Sequence, residues 1–278
     1  SYYSKIEVLW KKLKEKKLEV IKKAHKENFD LNEEHPSYHT NLLFLAVKEE
    51  NYEASKFLLA KKIFINTSNT LGQRPLHIAL LKNNEKIVRL LLDYKADLNY
   101  EDVNARTTLH YATVSANKKL IKIIREHPDF DLTSINQKDL KLGWTPLHFS
   151  IFINDIESVA YLLKKGAKTN KQSLKGETPL HLAIKLGKSK TLVKLLLLYG
   201  ANAHQIDKNG KTPIDYVCKK YLSDYKEKIK EVKNYEIEDY AYSDSEDESI
   251  NETYKKKQKK MRKKTLFSVI QDWVLYDL

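Results

Sequence analysis

The sequence predicts an all-helical solenoid that ends in a partly disordered C-terminal tail, and three observations lead to this fold class. A six-residue motif recurs along the 278-residue chain at nearly constant spacing. After each full copy of the motif, apolar residues recur at helical spacing, which predicts a second helix. Glycine stands where such helices end and in the turns between copies, as left-handed caps and tight turns require.

The motif occurs in four near-complete copies and two altered ones. The near-complete copies are RPLHIA at 74–79, TTLHYA at 107–112, TPLHFS at 145–150 and TPLHLA at 178–183. Weaker copies are NLLFLA at 41–46 and TPIDYV at 212–217, and the successive steps are 33, 33, 38, 33 and 34 residues. Thr suits a helix N-cap and Pro suits the first helical position, so each copy predicts the start of a helix.

This motif resembles that of the ankyrin-repeat family, whose pattern is Thr-Pro-Leu-His-x-Ala at a period of 33 residues. The resemblance covers residues 36–235 and implies about six helix-turn-helix repeats joined by hairpin loops. Residues 1–35 carry apolar side chains among many lysines, which predicts a helical N-terminal cap. Asp215 replaces the motif histidine, and the charged segment 224–233 follows it, so the last repeat is expected to be a C-terminal cap.

Composition limits the classes of partner. The formal net charge is +13, but only five of the 50 basic residues are arginine, which is the residue that best reads DNA bases. Nucleic acid is therefore not the expected partner, and no apolar run is long enough for a membrane span. The N-terminal residues lack the order of a signal peptide, and the single Cys218 excludes an internal disulfide. We expect a soluble monomer in the cytoplasm, the nucleus or both.

The residues that could suggest catalysis have structural explanations, so we predict no enzyme, no cofactor and no metal. Imidazoles on stacked helices about 8–10 Å apart cannot share a zinc ion, whose Zn–N bonds are ~2.0 Å long. The segment Gly187-Lys188-Ser189 resembles the end of a phosphate-binding loop, but Leu182 stands where that loop needs glycine. Cys218 falls at a core position, and the motif histidines are expected to join adjacent turns by hydrogen bonds: His77, His110, His148 and His181.

The family resemblance implies that a partner protein lies across a concave groove formed by the hairpin tips and the first helices. Carried over position by position, it predicts twelve contact residues: Leu71, Leu81, Lys82, Arg106, Val114, Leu142, Trp144, Phe152, Ile153, Lys175, Lys185 and Leu186. The apolar members, centred on Trp144 and Phe152, would anchor an apolar element, while the basic rim would orient acidic groups. The alternative is that these apolar residues only cover the core.

The 38-residue step places five extra residues between His110 and His148. This insertion predicts a longer hairpin next to Trp144, which either contacts a partner or is a tolerated change of loop length.

The tail divides into three segments of different chemistry. Residues 236–254 form an acidic linker that is expected to be disordered, with possible phosphorylation at Ser243, Ser245 and Ser249. Residues 255–264 form a possible nuclear-import run made of Lys255, Lys256, Lys257, Lys259, Lys260, Arg262, Lys263 and Lys264. Residues 265–278 are apolar and aromatic, and they either dock on the repeats, anchor a second partner or begin a further helical domain.

Together these observations predict a non-enzymatic protein-protein interaction module whose groove is regulated by an intramolecular contact with its acidic tail. Its partner is expected to carry an apolar and acidic epitope. Two alternatives stay open. The chain could be an adaptor that recruits an enzyme complex, such as a ubiquitin ligase, through residues 265–278. It could also inhibit a transcription factor, because its layout is similar to that of the inhibitors of nuclear factor kappa B.

Overall fold

The computed structural model describes residues 2–217, with side chains from residue 5 onward, and divides into two compact units, Ser1–Pro146 and Leu147–Leu278. The described residues contain helices and turns but no strand, which confirms the predicted all-helical fold class. Cys218, the charged segment 224–233 and the three tail segments lie outside the described residues. None of the helices that the structure describes is both long enough and apolar enough to span a membrane.

The first unit contains four helix pairs in succession. Their bounds are α1 Tyr2–Lys14, α2 Leu18–Lys26, α3 Leu42–Lys48, α4 Tyr52–Ala60, α5 Pro75–Leu81, α6 Glu85–Asp93, α7 Thr108–Val114 and α8 Lys118–Arg125. The first helices α1, α3, α5 and α7 pack in series, and each of them also contacts the second helix of its own pair. A continuous apolar core results, with fully buried side chains such as Leu13, Leu43, Leu80 and Ile121.

The second unit contains α9 Pro146–Phe152 apart from its first residue. It also contains α10 Ile156–Lys164, α11 Pro179–Lys185, α12 Lys190–Leu198 and a short 3-10 helix, Pro213–Tyr216. Helix α11 contacts both α12 and the 3-10 helix, and α10 contacts α12. Leu147, Phe149, Val159 and Leu196 are among the side chains that form the core of this unit.

Side-chain caps explain why the helices begin where they do. Thr107 and Thr178 each accept a hydrogen bond from the backbone N–H of the histidine three residues later, as the motif predicts. The second helices begin after polar caps of their own: Asn51, Asn84, Asn117, Asp155 and Ser189. Gly166 and Gly200 follow α10 and α12 with φ of 97° and 83°, which confirms the predicted left-handed ends.

The five extra residues of the 38-residue step do not form the longer hairpin that the sequence predicts. Most of the extra length forms a 3-10 helix, Leu132–Asn136, which precedes the hairpin loop. The hairpin loop itself, from Asp139 to Trp144, is only one residue longer than the loop from Asp102 to Arg106. Ile135 is buried, so the insertion adds a small part of the core instead of an extended loop.

Candidate protein-binding surface

The hairpin loop before each of the last five motif copies, here called a finger, has a shape that its first residue fixes. The fingers are residues 69–73, 102–106 and 139–144 in the first unit, and residues 173–177 and 207–211 in the second. In the finger 102–106, Asp102 Oδ1 accepts the backbone N–H groups of Asn104 at 2.8 Å and Arg106 at 3.0 Å. Asn69, Asp139, Ser173 and Asp207 accept two backbone N–H groups in the same way.

Adjacent fingers are joined by backbone hydrogen bonds. In the first unit, the N–H of Val103 donates to the carbonyl of Leu71 at 3.1 Å, and the N–H of Leu140 donates to that of Asn104 at 2.8 Å. In the second unit, the N–H of Lys208 donates to the carbonyl of Lys175 at 3.1 Å. A Cβ atom on Gly176 would lie 2.7 Å from Lys208 N, so this close approach requires glycine.

The motif histidines join each first helix to the next finger. His110 Nδ1 accepts the N–H of Thr107 at 3.1 Å, and its Nε2 lies 3.0 Å from the carbonyl oxygen of Trp144. His148 and His181 make the equivalent Nε2 contacts with carbonyl oxygens at 3.3 and 3.0 Å. In His110 and His181, Nδ1 accepts a backbone N–H, so Nε2 carries the proton and donates. These bonds confirm the predicted structural role for His110, His148 and His181.

His77 differs from the other three. Its Nδ1 accepts the N–H of Arg74 at 3.1 Å, but its ring stacks on the ring of Tyr111 with the centroids 4.5 Å apart. The hydroxyl of Tyr111 donates to Asp102 Oδ2 at 2.5 Å and accepts from Gln73 Nε2 at 3.2 Å. A buried polar network therefore holds the first two fingers in place.

Burial also sets the charge state of these rings. It lowers the pKa of His77 to about 3 and that of His110 to about 4, so both imidazoles are neutral at physiological pH. Among the residues that the structure describes, no group of three or more His, Cys, Asp or Glu side chains is placed to hold a metal ion.

Nine of the twelve predicted contact residues lie at least partly at the surface. In the first unit, Leu71, Leu81, Leu142 and Trp144 are half-buried and Lys82 is exposed. In the second unit, Phe152 is half-buried, while Lys175, Lys185 and Leu186 are exposed. Lys185 also pairs with Glu177 at 2.6 Å, and this hydrogen bond raises the pKa of Lys185.

The remaining three residues are buried, so their prediction as exposed contacts is wrong. Val114 ends α7 and Ile153 follows α9, and both side chains belong to the core. Arg106 was expected at the basic rim, but its guanidinium is buried, with Nε 3.4 Å from Asp139 Oδ2. Arg106 lies inside the protein because the buried carboxylate of Asp139 needs a partner of opposite charge.

The most exposed apolar side chains on the fingers are ones that the sequence reasoning missed. Val103 and Leu140 in the first unit and Leu174 in the second are 56, 66 and 51 % exposed, respectively. Each is the residue directly after the Asp or Ser that begins its finger. Their common signal is an apolar side chain at one fixed finger position, whereas the prediction used the positions beside the turn glycine.

Comparison with known families agrees with this geometry. The sequence model described as ankyrin repeats (3 copies) matches residues 9–102, 95–173 and 154–238. The chain belongs to the ankyrin-repeat family. Ankyrin repeats form protein-protein interaction modules, so binding of another protein is the general role of this ankyrin-repeat chain.

Solved ankyrin-repeat structures have the same fold. The ankyrin repeat domain of Bcl-3, described as a unique member of the IkappaB protein family, superposes with a TM-score of 0.66 at 23 % identity, covering 79 % of this chain and 97 % of that one. The ankyrin repeat domain of human ASB11 superposes with a TM-score of 0.63 at 22 % identity, covering 76 % of this chain and 92 % of that one. At these identities the likeness concerns the fold alone.

Curated relatives match over a shorter stretch. Human ARF GTPase-activating protein GIT1 is 38 % identical over 94 residues, which is 34 % of this chain and 12 % of that protein. Human ARF GTPase-activating protein GIT2 is 36 % identical over 113 residues, or 40 % and 14 % of the two chains. Alpha-latrotoxin-Lhe1a from Latrodectus hesperus is 33 % identical over 88 residues, or 31 % and 6 %. The ankyrin-repeat chain thus corresponds to at most about a seventh of each of these relatives.

Proposed function

We propose that this ankyrin-repeat chain is a non-enzymatic module that binds a partner protein through its fingers and the exposed ends of its first helices. The observation that carries the proposal is the exposed apolar residue at one fixed position of three fingers: Val103, Leu140 and Leu174. Exposed apolar side chains at a repeated position, next to charged residues, are typical of an interaction surface.

The rigidity of the fingers supports the same proposal. Backbone bonds between adjacent fingers hold Val103 and Leu140 at fixed positions, so little conformational entropy is lost when a partner binds. Half-buried Leu142 and Trp144 lie on the same finger as Leu140 and enlarge its apolar area. Trp, with Tyr and Arg, is enriched among the residues that contribute most of the binding energy at such surfaces.

The charged residues indicate the chemistry of the partner. Lys82 in the first unit and Lys175 in the second are predicted contact residues, and both are exposed. A partner that complements them carries acidic groups around an apolar element, which is the epitope that the sequence predicts. Such charge pairs mainly raise the association rate and weaken as salt concentration rises.

A matched pair of double variants tests this proposal. Val103→Ser with Leu140→Ser removes apolar area from two fingers of the first unit. The control, Val8→Ser with Phe64→Ser, removes side chains that are 51 and 68 % exposed in the same unit but lie on no finger. Each protein, immobilised at equal density, captures partners from a lysate, and quantitative mass spectrometry compares what is retained.

For proteins that the wild-type chain retains, we expect the captured amount to fall at least tenfold with the finger variant. With the control variant, the captured amount should stay within twofold of the wild-type value. A tenfold loss corresponds to about 1.4 kcal/mol, a usual effect of removing contact residues. The circular dichroism spectrum and the melting temperature of each variant must match those of the wild-type chain. Equal capture by the finger variant and the wild type would show that the fingers are not the binding surface.

The adaptor alternative and the nuclear location depend on residues outside the described part of the chain. An adaptor role requires residues 265–278, and a nuclear location requires the basic run at 255–264. Deleting each segment separately tests these proposals, by captured partners for the first and by imaging of a fluorescent fusion for the second.

A further inference from the structure

The fingers of the second unit form a surface that is both apolar and basic. Leu174 and Ile206 are exposed, and they lie on adjacent chain segments because Gln172 Nε2 donates to the carbonyl of Ile206 at 3.0 Å. Exposed Lys175 and Lys208 are joined through the backbone bond between their fingers. Exposed Lys211 completes what we call the basic finger surface: Leu174, Lys175, Ile206, Lys208 and Lys211.

The carboxylates close to this surface are engaged within the protein. Buried Asp207 accepts the N–H groups of Asn209 and Lys211 and the hydroxyl of Tyr216. Buried Glu177 pairs with Lys185 at 2.6 Å. Exposed Asp215 accepts the N–H and the hydroxyl of Thr212. The lysines therefore carry most of the charge that this surface presents to solvent.

The tail contains a segment with the complementary composition. Residues 236–252, here called the acidic block, contain eight acidic and no basic residues. Apolar and aromatic residues lie among the acids: Ile237, Tyr240, Tyr242 and Ile250. The acidic block thus combines the two properties that complement the basic finger surface, namely negative charge and apolar side chains.

Chain length permits this contact. The acidic block begins 19 residues after Val217, the last residue described, and such a stretch spans up to about 60 Å when extended. Because both groups belong to one molecule, their effective concentration is on the order of 1 mM. At that concentration, even a contact with an intrinsic dissociation constant of about 0.1 mM is made in about nine molecules of ten.

We propose that the acidic block docks on the basic finger surface of its own chain. Its carboxylates pair with Lys175, Lys208 and Lys211, while its apolar and aromatic side chains contact Leu174 and Ile206. The proposal rests on the proposed function in one respect, since the docked block is an internal competitor for part of the partner-binding surface. Docking at the strength given above lowers the apparent affinity for a partner on this surface about tenfold.

Phosphorylation strengthens the same contact. Ser243, Ser245 and Ser249 each have a glutamate three residues later in the sequence. Each phosphate adds about −1.5 to −2 charges at pH 7 and three strong hydrogen-bond acceptors. The phosphorylated acidic block is therefore expected to dissociate from the basic finger surface less readily than the unmodified block.

Two partner-free measurements on the full chain test the docking. In the first, a carbodiimide joins carboxylates to lysines that touch them, and mass spectrometry maps the links in the monomer band at micromolar protein. We expect links from the acidic block to Lys175, Lys208 and Lys211 to exceed at least fivefold those to exposed control lysines of the same unit outside the fingers: Lys164, Lys168 and Lys190. The excess should fall at 0.5 M salt.

In the second measurement, amine acetylation rates are compared between the wild-type chain and a chain whose acidic block carries Gln and Asn at its eight acidic positions. We expect the three finger lysines to react at least threefold faster in the neutralised chain, and the three control lysines to react equally in both chains.

Two results would overturn the docking proposal. One is a set of links that falls evenly on finger and control lysines, with unchanged acetylation rates. The other is a set concentrated on residues 255–264, because the acidic block would then pair with the basic run beside it. Neither result bears on the capture experiment with Val103 and Leu140, so failure of docking and failure of the proposed function remain distinguishable.

Discussion

Replacing Arg106 by Leu tests whether this residue stabilises the fold or contacts a partner. Its guanidinium is buried and lies 3.4 Å from the fully buried carboxylate of Asp139. Removing one partner of a buried ion pair leaves the other charge uncompensated and typically costs about 3–5 kcal/mol. Asp139 still accepts the N–H groups of Leu142 and Trp144 in the variant, so we expect the lower value, about 3 kcal/mol.

Two further variants separate charge from packing. Lys82→Leu removes an exposed positive charge in the same unit and is expected to change the free energy of unfolding by less than about 0.5 kcal/mol. Adding Asp139→Asn to Arg106→Leu removes the uncompensated charge but keeps an oxygen that accepts the two N–H bonds. This double variant is therefore expected to recover about 1–2 kcal/mol of the loss.

Urea unfolding, monitored by circular dichroism and tryptophan fluorescence, measures these changes. Two of the three tryptophans, Trp10 and Trp144, lie in the first unit. If Arg106→Leu unfolds within about 0.5 kcal/mol of the wild type but loses captured partners, Arg106 is a surface contact and the reasoning from its burial is refuted.

Three other variants or conditions test the finger structure. The pKa values of His77 and His110 are about 3 and 4 in the folded state. The unfolded chain therefore binds more protons below pH 6.5, and stability should fall by up to about 1.4 kcal/mol per pH unit and histidine down to the folded pKa. Gly176→Ala should destabilise by about 1 kcal/mol or more beyond Gly166→Ala, because both have positive φ but only Gly176 meets a backbone atom, at 2.7 Å. Tyr111→Phe should cost about 1–3 kcal/mol, since it removes two buried hydrogen bonds of the hydroxyl.

Melting temperatures and urea titrations check all three. Stability that is constant between pH 6.5 and 4.5 would contradict the neutral state of the buried histidines. Equal losses for the two glycine variants would contradict the close approach of the fingers, and an unaffected Tyr111→Phe would contradict the buried polar network.

Much of the repeat architecture could be predicted from the sequence because it depends on bonds between residues close together in the chain. The Thr107 cap, the left-handed Gly166 and the two N–H bonds to Asp102 each involve groups at most four residues apart. Such features follow from residue type and spacing alone. The helix pairs were predicted correctly for this reason. The Nε2 contacts of the three motif histidines are different, since each reaches a carbonyl oxygen 29 to 34 residues away.

The exposure of the predicted contact residues was predicted less well, because exposure depends on residues that are distant in sequence. Val114 and Ile153 occupy family contact positions, yet both are buried, while Val103 and Leu140 occupy finger positions that the family pattern did not single out and are exposed. The insertion shows the same limit. Its length could be counted in the sequence, but its folding into a 3-10 helix before the finger could not be predicted.

The repeat period, the helix pairs, the turn residues of the fingers and the family all follow from residue type and spacing. Which finger residues face solvent and which charges are internal depends instead on how the repeats pack together. Arg106 shows the reason most directly: its partner Asp139 is 33 residues away and comes within hydrogen-bonding distance only when adjacent fingers stack. A charge that looks like part of a binding rim in the sequence thus becomes part of the core through a contact that no local pattern encodes.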